Sequence, residues 1–281
     1  MLLQALFSEL AAYTATRDWQ YVYPVWSRRA QGISIGINLH PNHSCNWHCI
    51  YCQVPGLQRG PSPMIDIARL QTELEHCLDW ISAQAVKHGP DLLSPLIQDI
   101  AFAGDGEPTT SPQFNQTLNV ISQVLKHRQL VILVRLITNG SQLQHAHVQH
   151  AIQCLHALGG EVWFKLDAGS DAEMRAVNGS HVPLALHMQR LHTCCSLCRT
   201  WVQTAIVSRK VYQQLVTTPS LPGYITALQA YQDKVAGILL YGIARPSQQA
   251  AAASLQPVAA SVIEDYAVEL RAQGFQVRAF D

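Results

Sequence analysis

Two hydrophobic patterns alternate along the chain. Apolar runs of strand length occur at 33–39, 96–103, 130–137, 161–166, 201–207 and 235–241. Between them, apolar residues recur at helical spacing. Ile67, Leu70, Leu74, Cys77, Leu78 and Ile81 form one stripe, Phe114, Leu118, Ile121 and Leu125 a second, and Val148, Ile152, Leu155 and Leu158 a third. Further helices are predicted over 184–191, 224–231 and 258–270. A run such as LVILVRLI, read as apolar on both faces, suits a parallel sheet covered by helices. Strand followed by helix, six times over, predicts right-handed crossovers and a sheet wound in one direction. The expected fold is α/β, a partial (β/α)6 barrel. A closed eight-stranded barrel would need two more units, and only 275–280 remains as a spare strand. Residues 1–31 read as an N-terminal helical extension, 32–247 as the barrel, and 248–281 as a C-terminal helix and strand. The stretch 245–257 reads as a loop, with QQAAAASLQ as frayed helix.

Composition narrows the class. Of 281 residues, 48% are hydrophobic and 14% charged, which provides for a sizeable core and argues against disorder. Lys plus Arg and Asp plus Glu both number 19, and the largest basic cluster is Arg28-Arg29. A face for extended nucleic acid needs clustered cations, so such binding is not favoured. The opening segment has no basic n-region and no small-residue cleavage site, and no apolar run approaches the roughly 18 to 20 residues that span a bilayer. A cytoplasmic protein without a membrane partner is expected. Eight cysteines then point to metal ligation or core packing, not to a disulfide framework.

In parallel α/β folds, ligands bind beyond the carboxyl ends of the strands. The loop after the first strand reads HPNHSCNWHCIYCQVPG, with Cys45, Cys49 and Cys52 spaced C-x3-C-x2-C. Three thiolates can bind three irons of a 4Fe–4S cubane and leave the fourth iron open, where a four-cysteine electron-transfer cluster has no vacancy. An open iron can chelate the amino and carboxylate groups of a bound amino acid. A zinc site completed by His43 or His48 satisfies the same spacing, and a non-catalytic zinc or Fe–S binding module stays open at this point. The second strand runs into Gly104-Asp105-Gly106-Glu107-Pro108, where glycines permit close backbone approach and the acid offers acceptors to a cation. The third strand ends in Thr138-Asn139-Gly140. In the fourth, Lys165 and Asp167 are two apart and share a face, so they form either a buried ion pair or a ligand site. Gln203 is polar within the fifth apolar run, and Arg245 follows the sixth, where it could clamp an anion.

The C-x3-C-x-aromatic-C motif, with Tyr51 as the aromatic, resembles the hallmark of the radical S-adenosylmethionine (SAM) superfamily. SIGINLHPNHSCNWHCIYCQ, AFAGDGEPT, LITNG, FKLDAGS and GIARPS together resemble the wybutosine-synthesis-type Fe–S oxidoreductase branch, over roughly residues 27 to 247. The resemblance implies a 4Fe–4S cluster on Cys45, Cys49 and Cys52 and SAM as cofactor. It implies a SAM pocket drawn from Tyr51, Gly104, Asp105, Gly106, Glu107, Thr138, Asn139, Lys165 and Asp167, with Gln203 and Arg245 toward the substrate. The implied reaction is reductive SAM cleavage to a 5′-deoxyadenosyl radical that abstracts hydrogen from a small molecule or peptide. An external one-electron donor of flavodoxin or ferredoxin type is implied, since no flavin motif is visible. Members with the wybutosine name modify a guanosine in tRNA, which makes tRNA modification the alternative. Cys77 and Cys154 read as core residues. Cys194, Cys195 and Cys198 read as buried thiols or, less simply, as a second cluster. His145, His147, His150 and His156 read as solvated. His40 and His43 read as residues that hydrogen-bond around the cysteine loop or cap its turns.

Overall fold

The computed structural model describes residues 2–88, 97–212 and 214–280. Its strands are β1 (Val22–Ser27), β2 (Gly32–Ile37), β3 (Ser44–Cys45), β4 (Gln58–Arg59), β5 (Ile97–Phe102), β6 (Val134–Thr138), β7 (Glu161–Lys165), β8 (Thr200–Ala205), β9 (Val207–Val211), β10 (Gln214–Thr218), β11 (Gly237–Tyr241), β12 (Leu255–Gln256) and β13 (Val277–Phe280). Its α-helices are α1 (Leu2–Ala15), α2 (Ile67–His88), α3 (Phe114–His127), α4 (Ala146–Ala157), α5 (Asp171–Asn178), α6 (Leu184–Leu197), α7 (Leu221–Leu228) and α8 (Ala260–Ala272). One sheet runs β1-β2-β5-β6-β7-β8-β11-β13. The six strands from β2 to β11 are the predicted barrel strands, all parallel, and the sheet curls without closing. Leu96, the predicted start of the second strand, lies outside the described residues.

Two edges complete the sheet. β13 adds parallel to β11, so the C-terminal helix–strand closes that side. β1 lies antiparallel to β2, pairing Val22 with Ile37 and Ser27 with Gly32. The segment expected to be a helical extension therefore also supplies an edge strand. Pro24 sits in it, a position only an edge tolerates. The predicted strand at 130–137 begins only at Val134, and QQAAAASLQ forms a 3-10 turn leading into β12. β9, β10 and β12 make a small separate sheet that the pattern did not foresee.

The barrel strands are uniformly apolar on one face only, and the other mixes polar residues with Ala101, Ile137, Trp163, Trp201 and Leu239. Ile33, Ile35, Ile37, Ile100, Phe102, Leu136, Phe164, Val202 and Leu240 point outward into one core with Leu70, Leu74, Leu118, Ile121 and Leu155 of the helices. The alternate positions carry Ser34, Asp99, Arg135, Glu161, Trp163, Lys165 and Gln203, which follows from the two-residue period of a strand. At about 20–33 cal/mol per Å², the outward set supplies most of the folding drive, and the polar inner set is left for a ligand.

Candidate active site in the barrel mouth

The three loop cysteines and the carboxyl ends of β2, β5, β6, β7 and β11 line one cavity of about 950 Å³. The cysteine loop is fastened from two sides. The backbone N–H groups of His48 and Ile50 donate to the carbonyls of Asn178 and Val177 at the end of α5, at 2.9 and 2.8 Å. From beyond β11, Ser247 Oγ donates to the Ile50 carbonyl at 2.7 Å, and Gln249 Nε2 to the Val54 and Cys52 carbonyls at 2.8 and 3.3 Å. Cys45 Sγ accepts from the Trp47 N–H at 3.5 Å and Cys49 Sγ from Asn178 Nδ2 at 3.4 Å. Burial pushes the Cys45 thiol up to about 12 and Cys49 up to about 11, and raises Cys52 as well. Burial thus disfavours the thiolate at all three.

The Gly104–Glu107 turn packs directly under that loop. Gly104 has φ +123°, and Asn38 Nδ2 holds the Asp105 carboxylate at 2.9 Å. A Cβ on Gly106 would lie 2.2 Å from the Ser44 carbonyl oxygen, so only glycine permits this contact. Glu107 is buried and accepts from the Thr109 N–H at 3.1 Å, the Thr109 and Thr138 hydroxyls at 2.6 Å each, and the Asn139 N–H at 2.6 Å. It ties the second loop to Thr138-Asn139-Gly140. Asn139 Nδ2 then reaches Asn46 at 2.9 Å, inside the cysteine loop.

Lys165 and Asp167 form the ion pair that the sequence allowed, at 3.7 Å. Tyr51 stands between them. Lys165 Nζ donates to its hydroxyl at 2.8 Å, and that hydroxyl donates to Asp167. Asp167 also accepts from Asn178 Nδ2 at 2.8 Å and the Ala205 N–H at 2.8 Å. Burial opposes the charge on Lys165, but Asp167, Tyr241 and Cys49 outweigh it and hold the ammonium above its ordinary range. Phe164 and Leu166, on the alternate positions, pack into the core against the helices. Gln203 lies in the same cavity, 2% exposed, while Arg245 is solvent-exposed at its rim.

Asn38 and Ser247 lie within motifs quoted for the resemblance but were given no role there, and Asn178 and Gln249 have no motif to announce them. The one available signal was position, since Asn38 follows a strand and Ser247 and Gln249 follow another. His40 bonds the Thr110 hydroxyl at 2.9 Å, and His43 lies 3.6 Å from Asp105. His145, His147, His150 and His156 are exposed. Cys77 and Cys194 are fully buried; Cys194 Sγ accepts from the Thr200 hydroxyl and Cys198 donates to the Gly160 carbonyl, both at 3.4 Å. Cys154 is half-buried beside His150, less enclosed than expected.

The fold recurs in solved proteins. A radical SAM methyltransferase from Sphaerobacter thermophilus superposes with a TM-score of 0.60 at 12% identity, covering 97% of this chain and 81% of that one. The chain has the radical SAM fold. TYW1 with a lysine-pyruvate adduct bound superposes with a TM-score of 0.52 at 12% identity, covering 86% of this chain and 74% of that one. In sequence, a UPF0026 protein of Helicobacter pylori is 29% identical over 131 residues, 46% of this chain and 38% of its own. The chain spans less than half the length of the curated relatives it matches. No protein-family model matches the chain. Among the described residues no helix is long and apolar enough to cross a membrane.

Proposed function

We propose that this protein is a radical SAM enzyme acting on a small molecule or peptide. The observation that carries the reading is the convergence of Cys45, Cys49 and Cys52 with the Gly104–Glu107 and Thr138–Asn139 turns on one cavity of a radical SAM fold. The three thiols would hold a 4Fe–4S cluster. Tyr51, Gly104, Asp105, Gly106, Glu107, Thr138, Asn139, Lys165 and Asp167 would hold SAM. When bound, the pair supplies a 5′-deoxyadenosyl radical that abstracts hydrogen from the substrate. Among the described residues no three His, Cys, Asp or Glu gather closely enough for a single metal ion.

The chain's own residues perform the remaining tasks. The Ser247, Gln249 and α5 contacts hold the cysteine loop at the cavity mouth. Glu107 orders two loops through four accepted bonds and keeps acceptor capacity toward an ammonium. Lys165 offers a cation that could meet a carboxylate, and its pairing with Tyr51 and Asp167 keeps it charged when buried. The curled sheet and its helices exclude water from one side of the cavity, which protects a reactive intermediate. An electron donor of flavodoxin or ferredoxin type would supply the reducing equivalent. The balanced charge gives no support to a tRNA-sized partner.

The test is anaerobic. Protein reconstituted with iron and sulfide receives SAM and dithionite, and 5′-deoxyadenosine is measured. The nucleoside should form in the native protein and be absent in Cys49→Ala. Equal amounts in both would defeat the reading.

A further inference from the structure

The carboxylates in and below the cysteine loop's cavity already have partners. Arg135 binds Glu161 at 2.8 Å and also pairs with Asp99. Trp163 and Trp201 donate to Glu161 at 3.0 and 3.2 Å. Lys165 takes Asp167, Asn38 takes Asp105, and Thr109, Thr138 and Asn139 take Glu107.

Arg29 breaks this pattern. It lies in the turn between β1 and β2, and its guanidinium stands 4.7 Å from the ring centre of Tyr241 and 5.5 Å from that of Trp163. No carboxylate among the described residues pairs with it, and its Nη1 is buried without a hydrogen-bond partner. A guanidinium buried without a counter-charge is costly and calls for an anion.

A second orphan lies in the same cavity. Gln203 Oε1 is buried with no partner. β8 runs between β7 and β11, and the register sets Gln203 beside Lys165 on one side and Leu239 on the other. Trp163 and Tyr241 are one inner-facing position away on those two neighbouring strands. Arg29 therefore covers the two rings that flank Gln203. A guanidinium that bonds Tyr241 but has no carboxylate, and an acceptor with no donor, share one aromatic-walled pocket.

We propose that Arg29 and Gln203 bind the substrate, and that it is a small carboxylate bearing an N–H or O–H donor. This assignment rests on the radical SAM reading for what happens to the bound molecule, but not for the binding itself.

Anthranilate and its neutral counterpart 2-aminobenzamide are the probes, titrated calorimetrically into reconstituted protein with and without SAM. The native protein should bind anthranilate at least tenfold more tightly. Arg29→Gln should abolish that preference, Arg29→Lys should keep part of it, and Gln203→Leu should weaken both probes. SAM affinity and the far-UV circular dichroism of the Arg29 variants should match the native protein. Equal binding of the two probes, or an undiminished preference in Arg29→Gln, overturns the proposal. So does a loss of SAM affinity in Arg29→Gln, which would make Arg29 part of the SAM site. If the native protein fails to bind SAM yet prefers anthranilate, the radical SAM reading falls while the anion site stands.

Discussion

At the scale of single residues, the site is held by acceptors with fully committed neighbours. Glu107 is the clearest case, since four donors converge on one buried carboxylate. Glu107→Gln would turn an NH2 group toward one of those donors. The expected loss is about 2 kcal/mol, read by urea denaturation of the metal-free protein. His187 is fully buried between Trp47 and Phe164, and its Nε2 bonds the Lys165 carbonyl at 2.9 Å. Burial pushes its pKa down from 6.5 to about 4. Folded and unfolded chains both carry it neutral at pH 7. Below 6.5 the unfolded chain takes up the proton first, so stability falls as the pH drops from 6.5 toward 4. The whole fall is worth about 3 kcal/mol. His187→Leu should flatten that part of the fall when urea denaturation at about pH 7 and about pH 4.5 is compared. His40, lowered to about 4 by burial, keeps a remainder in the variant.

At the scale of elements, loops are positioned by contacts far apart in sequence. Gly106 sits beneath the Ser44 carbonyl, one residue before Cys45. Gly106→Ala should displace the cysteine loop and lower iron bound per chain several-fold, with the far-UV circular dichroism unchanged. Gln249 fastens the same loop from beyond β11. Gln249→Ala removes two hydrogen bonds, each about 1 kcal/mol, and should speed bleaching of the cluster absorbance in air. The barrel strands were legible because their outward faces must be apolar, and the helices because their stripes answer them. β1 was not, because 1–31 read as a helical extension and only pairing with β2 makes Val22–Ser27 an edge strand. β9 was hidden by the apolar run of β8, which passes through Ile206 without a polar break. The cysteine loop and the G-D-G-E-P turn were legible as motifs. The roles of Asn178, at the end of α5, and of Ser247 and Gln249, in a loop, were not, since a polar residue carries no mark of the partner it will meet.

At the scale of the molecule, the curled sheet separates two tasks. Its outer face makes the core and its inner face makes a polar lumen, open along the seam between β1 and β13. Among the described residues, the buried cations Arg135 and Lys165 have carboxylate partners and Arg29 has none, so the substrate end is assigned there and not at the exposed Arg245. Lys165 and Gln203 were legible as polar strand positions, but the inner polarity of the run read as apolar on both faces became visible only with the register, which aligns Arg135 with Glu161. The central claim is that SAM binds at a cluster held by Cys45, Cys49 and Cys52. The most direct measurement is the electron paramagnetic resonance spectrum of the reduced, reconstituted protein with and without SAM. A reduced 4Fe–4S signal whose g values shift on adding SAM, and which is lost in Cys49→Ala, is the predicted result. A well-formed cluster signal that SAM leaves unchanged would contradict the account.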